Sequence, residues 1–179
     1  MAPSTITKPS PSVADIFSSP TAVIKIGEEG KEYIIHKALL AHYSEYFRAA
    51  LEPSTFQKGI TNTITLSDVD SGLFEPFIEW IYTQKVPDTK LCDYHPPKRE
   101  KLARLYVLAD RLLVPKLKEV IFNISLDHYQ GRRCTPSYKT VSLAFNSLPD
   151  QDPYLQLLVD AQCRMWKGDD DASEAKLLE

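Results

Sequence analysis

Every β-prone run in this 179-residue chain lies before residue 67, and nearly everything after it carries helical periodicity. Val23-Ile24-Lys25-Ile26 is rich in β-branched residues. Tyr33-Ile34-Ile35 follows across Gly27-Glu28-Glu29-Gly30-Lys31, whose two glycines can supply positive φ. Two such runs around a glycine-bearing loop predict a hairpin. Thr63-Ile64-Thr65-Leu66 reads as a third strand, with Ile64 and Leu66 on one face by period two. Strands that are few and early, with helices that are many and late, define an α+β fold: a small sheet covered by helices.

The helical pattern is specific. From Lys37 to Leu51 the positions Leu39, Leu40, Tyr43, Phe47, Ala50 and Leu51 fall at helical spacing, and Ser44 interrupts them as the N-cap of a second short helix. The segment 72–82 carries two stripes, Leu73/Phe77/Trp80/Ile81 and Phe74/Ile78/Tyr82, so it is apolar nearly all round and is expected to be buried. Pro76 removes one backbone donor and predicts an irregular first turn. Residues 84–99, with Pro87, Pro96 and Pro97, read as a long loop. Leu102, Leu105, Leu108, Ala109 and Leu112 resume the helix, and Pro115 opens the next, which carries Leu117, Val120, Ile121 and Ile124. After Gly131-Arg132-Arg133, Thr135-Pro136 predicts a cap and first position for a helix with the stripe Val141, Ala144, Phe145 and Leu148. Asp152-Pro153 repeats the device ahead of Leu155, Leu158, Val159, Gln162 and Trp166.

Both ends are polar. Residues 1–12 are rich in Pro, Ser and Thr and read as disordered, and the acidic run from Gly168 reads as a frayed tail. Between the first of these and the hairpin, Val13-Ala14-Asp15-Ile16-Phe17 is an apolar island too small to form a core. One helical turn would put Val13 and Ile16/Phe17 on a common face, and such a turn orders only by docking on this chain or on a second copy.

Composition and motifs remove several function classes. The formal net charge is -3, which gives no electrostatic footprint for nucleic acid. No run is long and apolar enough for a membrane span, and the N-terminus lacks the apolar block of a secretory signal. Three cysteines, Cys92, Cys134 and Cys163, do not make a disulfide framework, so a reducing compartment, cytoplasm or nucleus, is expected. Cys92 and His95 have a zinc-compatible spacing but no second ligand pair, so no metal and no cofactor are expected. No nucleophile has its acid and base in a recognisable context, and no phosphate-binding loop is present, which leaves a cysteine/histidine enzyme as the weaker alternative. Lys98, Arg99, Lys101, Arg104 and Arg111 gather on one helical stretch and read as a solvated face. His36, between strand and helix, reads as a hydrogen-bonding junction residue.

One ordered set of segments is distinctive: His36-Lys37-Ala38-Leu39-Leu40-Ala41 after a strand; Ser44-Glu45-Tyr46-Phe47-Arg48-Ala49-Ala50-Leu51; Ile64-Thr65-Leu66-Ser67-Asp68-Val69 before Leu73-Phe74; Trp80-Ile81-Tyr82-Thr83; and Leu105 to Leu117. In this order and spacing the chain closely resembles the BTB/POZ domain. The resemblance implies a three-stranded sheet capped by helices over 20–130, preceded by a disordered or docking segment over 1–19. A C-terminal helical extension over 131–166 and an acidic tail over 167–179 would follow. It implies a non-enzymatic module for homo- or hetero-oligomerisation, a substrate adaptor for a cullin-based ubiquitin ligase, or a transcription-associated scaffold that reaches DNA only through partners.

The resemblance also implies site residues. Val13, Ile16, Phe17, Lys37 and Leu39 occupy the places of an oligomer interface. In family dimers an acidic residue opening the first strand pairs with the basic residue after the histidine. Here Thr21 stands at the acidic position, so Lys37 is expected to lack that partner and to be exposed, and the homodimer is expected to be weak. The loop that meets a cullin would hold Phe56 as an apolar anchor, but Lys58 stands where glutamate is expected.

Overall fold

The computed structural model of the chain describes residues 10–52, 62–86, 96–131 and 135–165. The chain divides into two units: residues up to Lys85 together with Leu112–Val114, and Val86–Arg111 together with Pro115 onward.

The first unit contains α1 (Val13–Ser18), β1 (Thr21–Ile26), β2 (Lys31–His36), α2 (Lys37–Tyr43), α3 (Glu45–Ala50), β3 (Thr63–Leu66) and α4 (Ser71–Thr83). The sheet order is β2-β1-β3. The hairpin pairs β1 and β2 antiparallel, with Ile24 opposite Tyr33, and its turn uses Gly27 and Gly30 at φ 74 and 66. β3 lies parallel to β1, with Ile64 opposite Ile24, a pairing that needs a long crossover, and α2 and α3 lie in it. Strand alternation sends Ala22, Ile24, Ile26, Ile35, Ile64 and Leu66 into the core.

Ser44 separates α2 from α3 as expected. It is fully buried, accepts a hydrogen bond from the Phe47 N–H at 3.1 Å and donates to the Leu112 carbonyl at 2.6 Å. The Glu45 N–H donates to the carbonyl of Leu113, which sits in the left-handed region at φ 51. α4 is capped by Asp70, whose carboxylate accepts from the Gly72 N–H. Phe74, Phe77, Trp80 and Ile81 of α4 are buried, with Phe77 stacked on Phe47 and Trp80 edge-on to Tyr43. The helix is not buried all round: Leu73 and Ile78 are half-buried and Tyr82 is exposed, because only one side of α4 faces the core. Pro76 sits inside a continuous helix, and the first turn is mixed, with the Leu73 and Phe74 N–H groups sharing the Asp70 carbonyl.

The second unit contains α5 (Pro96–Arg111), α6 (Pro115–Gly131), α7 (Tyr138–Ser147) and α8 (Pro153–Met165). α5 packs on α6 and α7, and α8 packs on α6 and α7. The buried residues include Leu102, Leu105, Tyr106, Leu117, Ile121, Tyr154 and Leu158. Helix α5 begins at Pro96, so the expected loop ends before 96 rather than at 99; proline is tolerated in a first turn, where its missing N–H has no helical partner. Helix α7 begins at Tyr138 rather than Pro136, because Ser137 is the cap: its hydroxyl accepts from the Thr140 N–H at 3.2 Å. The two-residue shift goes with a rotated stripe. Thr140, Ala144 and Leu148 are buried, Val141 is half-buried and Phe145 is exposed. Asp152 and Pro153 start α8 as expected, although Val159 is exposed and Tyr154, Leu157 and Ala161 take buried places beside Leu155 and Leu158. Among the described residues no helix is long and apolar enough to cross a membrane.

Candidate interaction surface

Helix α1 forms over the apolar island. Ser12 is its N-cap, accepting from the Asp15 N–H at 3.1 Å, and the Asp15 carboxylate takes the Ser12 N–H and hydroxyl in return. Those bonds hold the Asp15 carboxyl below the usual carboxylate range. Six residues do not make a stable helix in water on their own. α1 has no buried residue and rests on α2 and, through an edge-on contact of the Phe17 ring at 5.7 Å, on His36. It therefore docks on its own chain, yet Val13 and Phe17 remain 69% and 75% exposed, with Ile16 half-buried.

His36 is the junction residue the sequence predicts. Its N–H donates to the Tyr82 hydroxyl oxygen at 3.3 Å, and its Nδ1 lies 2.8 Å from the same oxygen. One phenol oxygen thus meets both the backbone N–H and the ring of His36. Two residues back on the same strand face, Ile34 is 70% exposed and lies opposite Val23. Phe17 and Tyr82 thus lie edge-on to one imidazole, and Ile34 and Val23 share its sheet face with the Lys25–Glu32 ion pair at 2.9 Å.

The other expected interface residues lie elsewhere. Leu39 is 3% exposed, a core residue whose side chain cannot meet a second molecule. Lys37 is half-buried rather than exposed, and it is not left alone: its ammonium donates to the Asn62 side-chain oxygen, and its N–H donates to the Pro20 carbonyl at 2.9 Å. A neutral amide oxygen fills the role for which the missing acidic residue was expected. Thr21 pairs with His36 across the sheet. Phe56 and Lys58 lie outside the described residues, as do Cys92, His95, Cys134 and Trp166. Ile34 and Tyr82 are the surface residues that sequence reasoning missed. The signal for Ile34 was present, since an inward Ile35 forces its neighbour outward.

A second cluster joins α5, α6 and α8. The Asp152 carboxylate accepts from the Tyr106 hydroxyl at 2.8 Å, the Tyr154 N–H at 2.9 Å and the Lys118 ammonium at 2.6 Å; Lys118 also donates to Asp110 at 2.5 Å. The Tyr106 ring stacks on Tyr154 with centroids 4.2 Å apart. Burial acts to raise the Asp152 carboxyl, but the bonds from Lys118, the Tyr154 N–H and Tyr106 outweigh it and hold the group below its ordinary value. Burial, reinforced by Asp152, pushes the Tyr106 hydroxyl well above the usual phenol range, and burial pushes Tyr154 up to about 12. Both Asp152 oxygens are engaged inside the chain, which makes this cluster a fastening rather than a docking site.

Among the described residues, no three His, Cys, Asp or Glu side chains are placed to hold a metal ion. Arg104 of the basic stretch is engaged by Glu100 at 2.6 Å on a solvated face.

A family model described as the BTB/POZ domain matches residues 17–128. The chain is 29% identical over 103 residues to "Inhibitor of Bruton tyrosine kinase" of Xenopus laevis, covering 58% of this chain and 7% of that one. It is 40% identical over 58 residues to "TD and POZ domain-containing protein 4" of Mus musculus (32% and 15%), and 28% identical over 112 residues to "Kelch-like protein 40" of Xenopus tropicalis (63% and 16%). The match thus spans less than a fifth of each of these relatives. Among solved structures, the chain is similar to the BTB domain of zebrafish PATZ1, at 21% identity and TM-score 0.41. That similarity covers 57% of this chain and 72% of the other. The BTB domain of human Gigaxonin is similar at 22% identity and TM-score 0.40, covering 56% and 72%.

Proposed function

The chain belongs to the BTB/POZ domain family, and we propose that it is an oligomerising module whose docking surface is the apolar patch around His36. The family is one of protein–protein interaction modules rather than enzymes, so the question is which surface meets a partner. The observation that carries the reading is the exposure of Val13, Phe17, Ile34 and Tyr82 in one neighbourhood of one unit. Covering Val13, Phe17 and Ile34 would contribute on the order of 5 kcal/mol. Association costs about 4–15 kcal/mol in lost rigid-body freedom, so the homodimer is weak and depends on concentration.

Sedimentation velocity across micromolar concentrations tests this. The full chain is expected to shift towards a dimer as concentration rises, while Ile34→Lys and a chain starting at Ser18 stay monomeric. Monomers throughout, or equal dimerisation of all three, would defeat the reading.

The finer reading is a substrate adaptor for a cullin-based ubiquitin ligase, acting in the cytoplasm or nucleus, with 20–130 as the module, 131–166 as its helical extension and 167–179 as an acidic tail. It draws on the family likeness, which includes a Kelch-like relative. Lys58 departs from the expected pattern, so Lys58→Glu should tighten binding to a cullin N-terminal domain in calorimetry. Unchanged affinity where the unaltered chain binds detectably would remove that loop from the contact.

A further inference from the structure

We propose that Ser19 is a phosphorylation site whose modification releases α1 and dismantles the surface around His36; its consequence for assembly rests on the self-association reading above. Ser19 precedes Pro20, and its backbone is extended, φ -76 and ψ 147. That is the conformation proline imposes on the residue before it, and the one in which a proline-directed kinase takes a Ser-Pro pair. Pro20 is exposed and Ser19 half-buried.

Ser19 closes the C-terminal end of α1. Its hydroxyl donates to the Ile16 carbonyl at 2.9 Å and its N–H donates to the same oxygen at 3.1 Å. The last turn of α1 holds no basic residue. A phosphoryl group removes the hydroxyl donor and adds a charge of about -1.5 to -2, next to carbonyl oxygens at the negative end of the helix dipole. Lys37, whose N–H bonds the carbonyl of the adjoining Pro20, already gives its ammonium to Asn62. With that charge set against its C-terminal carbonyls, a repulsion that loss of the hydroxyl bond alone does not create, a six-residue helix without buried residues unwinds and Phe17 leaves the His36 ring.

The chemistry balances simply. The bond from the γ-phosphorus of ATP to its bridging oxygen breaks, the bond from Ser19 Oγ to phosphorus forms, ADP leaves, and the hydroxyl proton passes to the base of the kinase. Because Oγ is engaged in the docked state, the kinase acts on the opened arm, and the modified arm cannot close again. Ser10-Pro11 provides a comparison within the chain: the same dipeptide, with its serine exposed, but upstream of the Ser12 cap and outside the closing bonds of α1.

The test treats the full chain with a proline-directed kinase and ATP, maps each serine by mass spectrometry, and follows the nuclear Overhauser contact between the Phe17 and His36 rings. Ser19 is expected to be modified, with loss of that contact. Phe17→Ala is expected to raise the Ser19 rate by about 2- to 10-fold, the factor an edge-on aromatic contact contributes, and to leave the Ser10 rate unchanged. Ser19→Ala should keep the ring contact after the same treatment even with Ser10 modified. No modification at Ser19, or a modified chain that keeps the contact, overturns the proposal. Loss of the contact in a protein whose unmodified form never dimerises upholds the switch and defeats only the self-association reading.

Discussion

Around His36, Phe17 and Ile34 are 75% and 70% exposed, apolar side chains facing water. Around Asp152, whose side chain is only 4% exposed, a half-buried lysine, a second and half-buried carboxylate and a buried tyrosine converge. The two regions differ in how their costs are met. The buried charge is saturated: one carboxylate holds a tyrosine, a lysine and a helix N-terminus. Such a set fastens helices because removing any member strands the others. The exposed apolar groups have no comparable compensation within the chain. A docked six-residue helix and one edge-on ring contact leave most of their surface in water. The first region is open to a partner; the second holds a fold.

If that contrast is right, the interior beneath the open surface must be as tightly packed as any core. Trp80→Ala, which removes a fully buried ring in contact with Tyr43, is expected to destabilise by about 3–5 kcal/mol. A loss below about 1 kcal/mol in denaturant titration would mean that the unit is loose throughout and the patch is a symptom of that.

The saturated cluster should be costly to break and neutral for assembly. Lys118→Met leaves Asp110 and Asp152 without their cation and should cost about 1.5–3 kcal/mol, with the sedimentation profile unchanged. A variant that keeps its stability but loses self-association would reverse the roles of the two regions.

The pH dependence sharpens the same point. Asp152 is held below its ordinary 3.8 in the fold, so its contribution is present above that value and is lost as pH falls through the depressed folded value. Tyr154 runs the other way: raised from 10.0 to about 12, it favours the folded state below pH 10 and loses that contribution between 10 and about 12. Stability measured in Asp152→Asn should depend less steeply on pH below about pH 4, the rest of the slope including Asp15; a slope equal to that of the unaltered chain would assign the acid transition elsewhere.

The smallest effect is expected on the open surface. Ile34→Ala should change stability by within about 0.5 kcal/mol, as at other exposed positions. A loss above about 2 kcal/mol in denaturant titration would show that Ile34 is already covered within its own chain.

What the sequence made legible follows the same division between local and long-range causes. The break at Ser44 and the start at Pro153 were readable because a cap acts within three residues of itself. The start of α7 was misread because Thr135 and Ser137 are both good caps and a local rule cannot choose between them. Ser137 bonds the Thr140 N–H, and packing on α5 goes with a face in which Thr140 replaces Val141. The proposed interface residues Val13, Ile16 and Phe17 stand out as an apolar island. Ile34 was hidden inside a strand whose inward face had to be known first. The Lys37–Asn62 contact joins residues far apart in sequence, which no spacing rule reaches.

The central claim, that association uses the first region and leaves the second untouched, is tested most directly by methyl NMR spectra of the full chain across the micromolar range. Ile34, Val13 and Val23 methyl signals are predicted to shift with concentration, while Ile121 and Leu158, buried in the second unit, stay fixed. Association detected by sedimentation with Ile34 and Val13 unmoved, or with the shifts centred on the second unit, would contradict the account.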